Sequence, residues 1–116
     1  MSDLTPEHNL PTRVVAFVPD LMDRSRLGRL GAIPLVHVAG PAALAGEAQH
    51  GDLVVVDLSR PGVIEVLGQV AGEIVGFASH VDTDLLDRAR VAGCAEVLPR
   101  SRFFATLAAR LGGVSE

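Results

Sequence analysis

Short apolar runs punctuate the chain at VVAFV (14–18), PLVHV (34–38), LVVVD (53–57), EIVGFA (73–78) and AEVL (95–98). Each is short, rich in β-branched residues and apolar at consecutive positions, so each predicts a strand buried on both faces. The intervening segments change period. In VIEVLGQV, Val63, Val66, Leu67 and Val70 fall at i, i+3, i+4 and i+7, and Phe104, Leu107, Ala108 and Leu111 repeat that spacing near the end. Those intervals put apolar groups on one side of a helix.

The stops agree with the periods. Asp82 or Thr83 is placed to cap DLLDRARVA, which Gly93 closes, and Ser101 to cap RFFATLAARL, which Gly112 closes. Pro41 stands where a first-turn proline belongs, ahead of AALAGEAQ. A further helix is predicted from about Asp20 to Leu30, with a thin apolar side of Met22, Leu27 and Leu30 and a stop at Gly31. Residues 1–12, with Pro6 and Pro11, read as a loose leader, and residues 13–112 as one domain.

Strands alternating with helices imply an α/β fold, a parallel sheet covered by helices on both faces. Right-handed crossovers leave few arrangements at this length. The five-stranded flavodoxin-like order 2-1-3-4-5 is the natural one.

Composition narrows the function classes. Four Phe and no Trp or Tyr leave no stacking platform for single-stranded nucleic acid, and a net charge of −4 opposes phosphate binding. A nucleic-acid partner is therefore not expected. One cysteine, Cys94, permits neither an internal disulfide nor a cysteine-based zinc site, and reads as a small buried hydrophobe. The polar start has no apolar signal segment, and no run approaches the roughly 20 apolar residues of a membrane span. The expectation is a cytoplasmic chain with no membrane partner.

In a sheet of this order, chemistry gathers beyond the carboxyl ends of the strands. Asp20, Asp57, Ser79, His80 and Arg100 follow successive runs and should converge there. Two carboxylates suit Mg²⁺, and a hydroxyl with an arginine suits a phosphoryl group. Each residue also has a plainer role: Asp57 as a turn former, Asp20 as a helix cap, Asp23 as a surface residue, Ser79 as a loop serine, Arg100 as a solvated arginine beside the last cap. His37, inside an apolar run, is expected to be a partnered histidine. A Ser79–His80–Asp82 hydrolase lacks the G-x-S-x-G elbow, and no glycine fingerprint for a nucleotide occurs. DRSRLGR (23–29) concentrates arginines as a solvated face or a docking surface.

DLSRPG, from Asp57 to Gly62, resembles the D-L-x-x-P-G at the third strand of receiver domains of bacterial response regulators. VAGCAEVLPRS is similar to that family's EAGADGYLLKP at the fifth strand. The resemblance covers about residues 13–112 and implies Asp57 at the phosphoacceptor position. It aligns Arg100 with the family's lysine, Ser101 with the following proline, Ala78 with the hydroxyl residue (Ser79 one place late) and Val97 with the switch aromatic. Of the family's acidic pair, only Asp20 is in register.

The resemblance with these departures implies a stand-alone, atypical, pseudo-receiver-like signalling module. It would act on an unidentified protein partner, with weak or no phosphorylation. One alternative is a competent receiver, phosphorylated at Asp57 by a histidine kinase with Mg²⁺ held by Asp20 and Asp57. Another is a small-molecule-binding flavodoxin-like enzyme using the strand-end crevice. An exposed face on the last helix would suit a homodimer.

Overall fold

The computed structural model describes residues 11–31 and 33–111. The strands are β1 (Val14–Phe17), β2 (Leu35–His37), β3 (Leu53–Asp57), β4 (Glu73–Ala78) and β5 (Cys94–Pro99). The helices are α1 (Leu21–Leu27), α2 (Pro41–Glu47), α3 (Val63–Val66), α4 (Thr83–Ala92) and α5 (Arg100–Arg110). All strands pair in parallel in the order β2-β1-β3-β4-β5. This is the flavodoxin-like α/β topology that the alternation predicts. Most of the leader, and the helix stop at Gly112, lie outside the described residues.

The period of two along each strand sorts the core into halves. Val15, Phe17, Val54 and Val56 pack under α2, α3 and α4 with Leu44, Val63, Leu67 and Ala89. Val14, Ala16, Leu53, Val55 and Phe77 pack under α1 and α5 with Leu27, Phe103, Phe104 and Leu107. Phe77 stacks on Phe103 at 4.3 Å between ring centres, and Phe104 meets Phe103 edge-on at 4.9 Å. With so few aromatics in the chain, this trio anchors α5 to the sheet. No helix among the described residues is long and apolar enough to cross a membrane.

Several local expectations need correction. The helix predicted through Val70 stops at Val66 and tightens into a 3₁₀ turn at Leu67–Gln69. Gly68 interrupts its propensity, while Val63 and Leu67 still reach the core as an i, i+4 pair. The first helix ends at Leu27 on Gly28, three residues short of Leu30. Ser101 lies inside α5 and does not cap it. The helix starts at Arg100 directly after Pro99, whose φ of −67° and ψ of 150° end the strand. Asp82 caps α4 as expected, accepting from the Leu85 N–H at 2.9 Å.

Candidate functional site

Asp57 ends β3 opposite Phe77 of β4 and is 1% exposed. A carboxylate that deep needs all its oxygens answered. Ser59 answers Oδ1 twice, donating its N–H at 3.0 Å and its hydroxyl at 2.6 Å in a local turn. Oδ2 faces cations: Arg60 Nε at 3.3 Å and an Arg100 terminal nitrogen at 4.0 Å. Gly62, at φ 85°, lets the chain swing from this turn into α3.

Room for the turn comes from β4. A Cβ on Gly76 would sit 2.6 Å from Leu58 Cδ1, so the missing side chain is what seats Leu58 immediately after Asp57. Leu58 N–H then donates to the Phe77 carbonyl at 2.8 Å, extending the sheet by one bond past the acid.

Arg100 organises the opposite wall. As the first residue of α5 it extends back over the sheet, its guanidinium carbon 5.1 Å from the centre of the Phe77 ring. One terminal nitrogen donates to Asp23 Oδ2, and Nε lies 3.4 Å from the Ser79 hydroxyl. The Asp23 hydrogen bond holds the guanidinium even more firmly protonated than usual, with Asp57 and Asp20 adding to the field. This contradicts the reading of Arg100 as a solvated arginine. It also contradicts the reading of Asp23 as a surface residue, since Asp23 is 4% exposed.

Asp20 has another occupation. Its Oδ1 caps α1, accepting from the N–H groups of Met22 at 2.9 Å and Asp23 at 3.0 Å. The Asp23 N–H is the main reason its carboxyl titrates below the ordinary range. The chain thus brings Asp57, Arg100 and Ser79 together as expected, and adds Asp23 and Arg60. Asp23 carried a readable signal, because its i, i+3 spacing from the cap turns both acids toward one helix end. Its ion pair across the fold carried none.

Asp57 and Asp23 each present an oxygen to Arg100, and Asp20 spends one on its helix. Among the described residues no cluster of three or more His, Cys, Asp or Glu side chains is arranged to hold a metal ion.

His80 is exposed, and Asp82 is engaged with the α4 backbone. His37 differs from expectation. At the end of β2 its Nδ1 is buried with no hydrogen-bond partner among the described residues. Burial, and then the nearby positive charge of Arg24, push the imidazole below its usual pKa. Cys94 is buried as expected, its thiol pushed up to about 11 by desolvation.

No protein-family model, curated protein or solved structure matches the chain.

Proposed function

We propose that the chain is a receiver-like signalling module that acts by binding a protein partner, with Asp57 at the acceptor position weakly phosphorylated or not at all. The observation that carries this reading is the Arg100 guanidinium bonded to Asp23 and 4.0 Å from Asp57. Phosphoryl transfer to a carboxylate depends on positioning and on cations that neutralise the incoming phosphoryl oxygens. Here the fixed cation is spent on the protein's own acids. The acceptor's Oδ1 is also tied to Ser59. Ala78 and Val97, at the hydroxyl and aromatic positions of the resemblance, offer no relay from the acid to the surface. A cytoplasmic setting is part of the same reading.

The test is intact-mass spectrometry after incubation with acetyl phosphate and Mg²⁺, with Asp57→Asn as control. This reading expects no adduct on either protein. A Mg²⁺-dependent adduct on the parent alone would establish the competing reading of a working acceptor. That competitor draws its support from the Ser79 hydroxyl and Arg100 lying side by side at the strand ends. A small-molecule enzyme has less support. An apolar cavity of about 110 Å³ touches Val14 and Leu35, the first residues of β1 and β2, at the end of the sheet away from Asp57, and the cavity of about 210 Å³ beside the Ser59–Gly62 turn is open and mainly polar.

A further inference from the structure

All ten basic residues of the chain are arginines, and they are unevenly spread. Residues 20–31, which hold α1, together with α5 carry six of them and only two of the fourteen acids. Both acids are occupied: Asp20 caps its helix and Asp23 holds Arg100. Among the rest of the described residues, four arginines stand with nine acids. The domain is therefore electrically polarised, with a positive α1–α5 face on a negative body.

Three of the six arginines are committed within the fold. Arg24 donates to the Val18 carbonyl, Arg100 to Asp23, and Arg110 to Glu73 at 2.8 Å. Arg26, Arg29 and Arg102 are exposed and pair with no carboxylate among the described residues. Where acids outnumber bases overall, unmatched arginines clustered on one face are a departure from mixed surface charge. Two of them are also held in place. Arg26 lies 3.9 Å over the Phe104 ring, and Arg29 donates to Ser25 Oγ at 3.1 Å. Such anchoring reduces the entropy lost on binding.

The same face has an apolar opening. The 110 Å³ cavity opens between the two helices, walled by Leu27 and Gly28 of the first helix and its cap, by Gly31, and by Leu107 and Leu111 of the last helix and its cap, with Val14 and Leu35 of the sheet beneath. Leu27 and Gly28 lie between Arg26 and Arg29 in the chain. Leu21 and Met22, each 77% exposed, add apolar surface at the other end of α1.

We infer that the α1–α5 face docks an acidic segment of a partner protein, with an aliphatic side chain of that segment seated in the cavity lined by Leu27, Gly28 and Leu107. Charge complementarity fixes the sign of the partner, and the cavity requires an apolar anchor. A polyanionic nucleic acid fits less well, because three arginines make few phosphate contacts and the acidic body repels it. The inference rests on the reading of the chain as a protein-binding module, but not on the state of Asp57. A phosphoryl adduct would overturn the preceding proposal and leave this one standing.

The experiment uses the full chain and a fluorescent peptide built of alternating glutamate and leucine pairs. Anisotropy should report binding that weakens about tenfold as salt is raised from low to high ionic strength. Amide shifts on the unmodified chain should map to α1, α5 and the segment around Ile33. Arg29→Glu with Arg102→Glu, which spares the Arg26–Phe104 contact, should abolish binding with an unchanged circular dichroism spectrum. Gly31→Leu, which fills the cavity without changing charge, should weaken it.

No binding, shifts on α3 and α4, or equal binding of the lysine counterpart peptide would overturn the inference. So would tighter binding of a DNA duplex or of anionic vesicles. Sedimentation showing that this face instead joins two copies of the chain would overturn it as well.

Discussion

Arg100 and Asp23, 77 positions apart in the chain, form an ion pair that ties the first turn of α5 to α1 across the carboxyl ends of the strands. Asp23 is almost wholly buried, and the Arg100 side chain is 31% exposed. A carboxylate in that setting is tolerable only while the guanidinium answers it. The pair therefore acts on stability and on the charge of the Asp57 site together.

Arg100→Gln should destabilise the fold by about 3 kcal/mol, because it leaves Asp23 buried and unanswered. Asp23→Asn combined with Arg100→Gln should cost less than the two single changes added together. Urea denaturation of the four proteins in the double-mutant cycle measures this. Additive losses would mean that the two side chains do not interact energetically.

Gly76→Ala should cost about 1–3 kcal/mol, since the new methyl meets Leu58 at 2.6 Å in a buried position. The cost of Gly76→Ala should shrink when it is measured in a Leu58→Ala background against Leu58→Ala itself, and thermal melts of the four proteins would register the difference. An unaltered melting temperature in the single variant would show that Leu58 repacks freely.

Stability should fall in two separate steps on acidification. His37 has a folded pKa below its ordinary 6.5, so the unfolded chain takes up a proton that the folded chain resists. Its contribution is complete above about pH 6.5 and declines below it. Asp52, whose pKa is lowered first by its hydrogen bond from Arg13, keeps its contribution above 3.8 and loses it as the pH falls further. Denaturant midpoints across pH should show the first step vanish in His37→Phe and persist in Asp52→Asn. A first step unchanged in His37→Phe would assign it to another group.

Cys94 should react slowly while the chain is folded. With its thiol at about 11 and its side chain buried, it presents roughly a hundredfold less thiolate near pH 8 than an ordinary cysteine. A colorimetric thiol reagent should label it only slowly in buffer and rapidly in urea. Equal rates would place the thiol at the surface.

Much of this molecule follows from local pattern. The β-branched runs became strands because consecutive apolar residues can be buried only between two helical layers, and the Asp82 cap and the first-turn Pro41 act within a few bonds of themselves. The same local physics delivers Asp57 to the end of β3. Contacts across the fold decided the rest. That Arg100 turns inward to Asp23, that Gly76 makes space for Leu58, and that His37 buries a nitrogen with no partner among the described residues all depend on packing between elements remote in sequence. Spacing along the chain carries no record of such pairings, because the energy that selects them exists only once the layers have closed.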